Sequence, residues 1–167
     1  MKKIIILFVL ITLACILAGC AHQKAIEIAP SELLGMEKKT IAVEERALES
    51  VERMHIGRLE YMEDVAIFKY EKEGKSVILW VTTYSNSTVA QNETERMVQA
   101  MLNFRDWGVN LRESEVGGKH IYYLPRGDEM HYFWEDNYCM FYFVSQNLNS
   151  TEIHSIIESV NCDQKWI

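Results

Sequence analysis

The chain has 167 residues, 49% of them hydrophobic, and its 17 basic residues stand against 24 acidic ones for a formal net charge of −7. That length suits a single domain with an ample core. The acidic balance, with no run of lysine or arginine to offset it, argues against a nucleic acid as partner, because such a surface repels a phosphate backbone.

Lys2 and Lys3 precede a run from Ile4 to Leu17 that is apolar except at Thr12, and small residues follow at Ala18 and Gly19. Positive charge, a short greasy core and a small-residue site make a secretory signal. A membrane-spanning helix needs about 20 apolar residues, and this run is closed too early by Gln23 and Lys24. Leu17-Ala18-Gly19-Cys20 resembles the lipobox of prokaryotic lipoprotein signal peptides, and Thr12-Leu13-Ala14 before Cys15 fits that pattern less well. The resemblance covers residues 1–20 only, and the globular remainder suggests no named family. It implies cleavage before Cys20 once a diacylglyceryl group is on the sulfur, often joined by an N-acyl chain such as palmitate. One acyl chain holds a protein only marginally, at about 0.8 kcal/mol per buried methylene, so two or more make a firm anchor. The expected organisation is a signal peptide over 1–19, a tether over 20–29 and one domain over 30–167. Loss of Lys2 and Lys3 takes the net charge to −9, which suits a domain standing off the outer side of a membrane.

With Cys15 removed and Cys20 lipidated, Cys139 and Cys162 remain as a pair in a compartment where disulfides persist. The alternative is two buried free thiols. A bridge would tie the last helix to a central strand.

Along the chain, Pro30 to Gly35 reads as a turn with a brief helical start. Val43 to His55 carries Ala47, Val51 and Met54 at helical spacing, widened by Leu48, and predicts an amphipathic helix closed by Gly57. Val65–Tyr70 and Val77–Tyr84 predict a hairpin around Gly74. A second helix is expected from Asn86 to about Asp106, ended by Gly108. Strands follow near Asn110–Glu115, Lys119–Leu124, Glu129–Glu135 and Tyr138–Ser145, separated by tight-turn residues. The last helix, Ser150 to Val160, has Asn149 as cap and Glu152 three residues on. The fold class is therefore α+β: a meander-rich antiparallel sheet with about three helices packed on it, plus the N-terminal signal helix. Strands-then-helix occurs in both halves, without residue-level similarity between them.

The two aromatic strands Glu129–Glu135 and Tyr138–Ser145 are apolar on both faces, so something must cover the second face. A covering layer of helices is the first explanation; an apolar ligand groove involving Trp80, Tyr132 and Trp134 is the second. Of His22, His55, His120, His131 and His154, only His120 and His131 could meet across strands, near Glu129 or Glu135. No metal site is assigned, because none of the five falls at ligand spacing. No nucleophile elbow, phosphate loop or dinucleotide turn occurs, so no catalytic residue and no cofactor is assigned. Glu63-Asp64, Asp128-Glu129 and Glu135-Asp136 sit in turns as solvated charge. Asn86, Asn92 and Asn149 head glycosylation patterns, but Asn86 and Asn149 also stand where helix caps are wanted. The function expected is a non-enzymatic binding or interaction module of the cell envelope, with an envelope protein as partner. The alternatives are a carrier of a small apolar ligand and, less favoured, a hydrolase with an unrecognised site.

Overall fold

The computed structural model describes residues 23–54 and 60–162. The expected signal segment, with Cys20, and the residues His22 and His55 lie outside these residues, as does the expected helix stop at Gly57.

Eight strands form one antiparallel sheet in the order β1-β2-β3-β4-β8-β7-β6-β5. They are β1 (Glu32–Leu33), β2 (Met36–Val43), β3 (Met62–Lys72), β4 (Lys75–Tyr84), β5 (Arg112–Val116), β6 (Lys119–Arg126), β7 (Glu129–Asp136) and β8 (Cys139–Gln146). Two meanders thus join at their inner strands, β4 against β8, with Trp80 opposite Tyr142 and Val81 opposite Phe141. The helices are α1 (Ala25–Ile28), α2 (Glu44–Met54), α3 (Ser87–Leu102), α4 (Arg105–Gly108) and α5 (Ser150–Ser159). This is the expected α+β class with its antiparallel sheet and three substantial helices.

Hairpin chemistry sets the register. Glu73 and Gly74 both adopt positive φ, 52° and 79°, the pair of left-handed residues that a two-residue turn between right-twisted strands requires. β3 runs three residues earlier and two later than its apolar core suggests, and β4 starts two residues earlier, because ladder bonds continue from Met62 to Lys72 and resume at Lys75.

The helices cover both faces of the sheet. On one face α1 and α5 close a core of Phe68, Leu79, Trp134, Phe141 and Phe143. On the other, α3 packs over Phe133, Met140 and Tyr142, and α2 lays Ala47 and Val51 over Val65 and Ile67. In α5, Ile153, Ile156 and Ile157 are buried, each worth about 1.5–3 kcal/mol. The double apolar face of β7 and β8 is the signature of a sheet enclosed between helical layers.

Three expectations change. The tether expected over 20–29 is packed from Ala25 onward: Ala25 and Ile28 are fully buried and Asp64 accepts the Ala25 N–H at 2.9 Å. Residues 36–42, given no element from the sequence, form β2 together with Val43, the expected first residue of the helix, and the polar side chains of Glu37, Lys38 and Lys39 hide the strand. The second helix ends at Leu102 rather than Asp106: Phe104 is extended (φ −97°, ψ 112°), and the chain restarts as α4.

Candidate functional site

Where the structure places each candidate residue decides what the domain can do. Cys139 and Cys162 form a disulfide with a Cα–Cα distance of 5.7 Å across a separation of 23 residues, and both are fully buried. Cys162 also donates its N–H to Asp136 at 3.0 Å. The bridge ties the end of α5 to the start of β8, beside Lys119, whose ammonium donates to the carbonyls of Ile157 and Val160 at 2.6 Å each. The open carbonyls of a helix C-terminus favour such a cation.

Trp80, Tyr132 and Trp134, the expected ligand face, do not share a surface. Tyr132 and Trp134 point into the α1–α5 side, where Tyr132 stacks on Phe143 at 4.6 Å and Trp134 on Phe141 at 5.2 Å. Trp80 points to the opposite side and lies against Tyr142 at 5.2 Å. The reason is parity: positions 80 and 142 are paired, and residues 132 and 134 pair with the alternate positions 143 and 141. Trp134 is completely buried and Tyr132 nearly so. These rings are core.

His120 and His131 do not meet either. Their partners on the neighbouring strand differ, since Leu124 faces His131. His120 lies half-buried among Glu113 and Glu115, at 3.4 and 3.2 Å. His131 is buried: its Nδ1 lies 2.7 Å from the Tyr142 hydroxyl, and its Nε2 has no hydrogen-bond partner and lies 3.7 Å from a Glu129 carboxylate oxygen. Trp107 of α4 covers it, ring centroids 6.3 Å apart, and the Arg126 guanidinium stacks on Trp107 at 4.8 Å. Burial pulls the imidazole below its ordinary value, Glu129 opposes that and Arg126 adds to it. The sequence carried one signal for this cluster: His131 stands on the strand face of Phe133, where alternation calls for an apolar residue.

The acidic pairs have structural work. Asp64 accepts from Ala25 and Val65, and Asp136 from Cys162. Glu135 is half-buried, and burial raises its carboxyl, with Glu95 adding and His120 opposing. Among the described residues no three His, Cys, Asp or Glu side chains are grouped to hold a metal, and no helix is long and apolar enough to cross a membrane. Asn86 and Asn149 cap their helices, accepting from Val89 and Glu152 at 3.0 Å each.

Two surface features remain. An open cleft of about 560 Å³ lies between α2 and the start of β3, lined by Lys24, Glu44, Glu45, Leu48, Met62 and Asp64 among others. At the other end of the sheet, where β6 ends and β7 begins, the α3–α4 junction exposes Leu102, Phe104 and Val109, the last at 72%. Gln23, where the described chain starts, donates its N–H to the Tyr138 hydroxyl at the β7–β8 turn. The apolar junction and the chain entry are therefore at opposite ends of the strands.

Taken together these features define a disulfide-locked α+β domain whose sheet is filled on both faces and whose free chemistry lies at its rims. Residues 58–160 match the family model described as Domain of unknown function (DUF4367), more than half of the chain, and the chain belongs to that family. This corrects the sequence reading, which drew its only family resemblance from the lipobox-like residues 1–20 and gave the globular part none. The match lies in the globular part and lends that resemblance no support. No curated protein and no solved structure matches the chain.

Proposed function

We propose that this chain is an extracytoplasmic interaction module, held at the outer side of a membrane through lipid on Cys20 and binding a protein of the cell envelope. The observation that carries the reading is the placement of apolar surface. Both sheet faces are closed by the chain's own helices, so the aromatic strands have no face left for a carried ligand. Single apolar side chains are exposed at Ile26, Leu34, Ile41 and Tyr61, but three of them, Leu102, Phe104 and Val109, fall together at the α3–α4 junction, at the end remote from Gln23. A module tethered at one end offers its contact surface at the other. The buried Cys139–Cys162 bridge supports the compartment, since disulfides persist in oxidising surroundings and are rare in the cytosol.

The test is a photo-crosslinking residue placed at Val109 in the full chain, activated in native membranes. A discrete protein adduct at Val109, absent when the same residue replaces Glu52 on α2, is the expected result. No adduct at Val109, or the same adducts from both positions, would remove the reading.

A further inference from the structure

The cluster around His131 has a geometry that core packing alone does not need. A fully hydrophobic residue at position 131 would sit against Leu124, Val144 and Trp107 without an orphaned nitrogen. Instead the imidazole is 5% exposed, bonds through Nδ1 to a buried tyrosine and leaves Nε2 without a partner. Above it lies α4, a helix of four residues held by its own turn bonds, from Trp107 and Gly108 N–H to the Phe104 carbonyl at 3.0 Å. The ring of Trp107 is its lid on His131, and Arg126 clasps that ring from outside.

We infer that α4 is an acid-sensitive cap: protonation of His131 drives the Trp107 ring off the sheet, releases it from the Arg126 guanidinium and opens the α3–α4 junction. The groups that decide this face His131 from each neighbouring element. Glu129 on β7 is 3.7 Å away, Tyr142 on β8 is hydrogen-bonded, and Arg126 on β6 reaches over Trp107. Arg105 and Asp106 flank Trp107 in α4, and the buried residues of α3 are Ala90, Thr94, Met97, Val98 and Met101, all uncharged. With Nε2 turned toward the Glu129 carboxylate, the proton of the neutral ring belongs on Nε2, and the Tyr142 hydroxyl donates to Nδ1. Acid adds its proton to Nδ1. Nδ1–H then donates to the Tyr142 oxygen, the buried hydroxyl must turn its own proton away from the ring, and a new cation stands under Arg126.

The sign follows from burial, which holds the closed-state imidazole below its ordinary value of 6.5. A histidine so depressed favours the closed state fully above about pH 6.5 and loses that contribution as pH falls through its own lowered value. This device stands apart from the identity of any partner, and it holds or fails without one.

The full chain in detergent micelles, followed by the Trp107 indole N–H resonance from pH 7.5 to 4.5 and assigned through Trp107→Phe, reads the cap directly. The expected result is one transition with a midpoint below 6.5, accompanied by greater iodide quenching of tryptophan, and absent from His131→Gln. A wild type without a transition, or one that persists in His131→Gln, would overturn the cap. Should His131→Gln fail to fold by circular dichroism, two charge variants decide. Arg126→Gln is expected to raise the midpoint and Glu129→Gln to lower it; shifts of the same sign, or none, overturn the inference.

Discussion

At Asn149 one side chain starts a helix. Its oxygen accepts the Glu152 N–H while the Glu152 carboxylate accepts the Asn149 N–H, both at 3.0 Å, and that reciprocal box satisfies two donors that a helix start leaves open. Asn149→Ala is expected to cost about 1 kcal/mol, read from chemical denaturation. A second residue carries a pH signature. Glu71 is hydrogen-bonded by Lys39 and contacted by Lys69, which together hold its carboxyl down at about 2. A carboxylate so depressed contributes stability above the ordinary value of 4.5 and loses it as pH falls toward about 2. Carbon-detected titration of Glu71 should show that low midpoint, and Lys39→Met should move it upward.

At the scale of elements, the disulfide and the α3–α4 break matter most. Closing a loop of 23 residues is worth about 3 kcal/mol in the chain-entropy model. Cys139→Ala with Cys162→Ala should therefore lower stability by about that amount in urea denaturation, with α5 the first element to lose amide protection. Gly108 serves a different end. A Cβ there would lie 2.6 Å from the Leu102 carbonyl oxygen and 2.8 Å from its Cα, backbone that cannot give way. Gly108→Ala should cost about 1–3 kcal/mol as an overpacking substitution and loosen α4, so that tryptophan emission reports exposure of Trp107 even at neutral pH. These elements also show what a sequence can convey. The α5 stripe and its Asn149 cap were legible because periodicity and capping are local. The β2 strand was not, because its side chains Glu37, Lys38, Thr40 and Ile41 alternate too weakly to mark a face. The break after Leu102 is hidden in the sequence because Gly108 reads as a simple stop, whereas it is needed for the close return of α4 on α3. Pairing parity puts Trp80 on the other sheet face from Tyr132 and Trp134, and parity across strands follows only from a register that composition does not reveal.

In the whole molecule, two enclosed sheet faces leave the rims as the surface open to a partner. The disulfide was readable from cysteine arithmetic, because two thiols remained once the first two were given other fates. The His131 cluster was not, since Tyr142, Trp107 and Arg126 come from three elements that meet only in the fold. The central proposal is the address, a domain anchored to a membrane through lipid on Cys20. Membrane fractionation with intact-mass measurement of the wild type and of Cys20→Ser tests it most directly. The wild type should be found with membranes, carrying acyl mass on a chain that begins at Cys20, and Cys20→Ser should be released or left as the full-length precursor. A Cys20→Ser chain processed and retained like the wild type would contradict it.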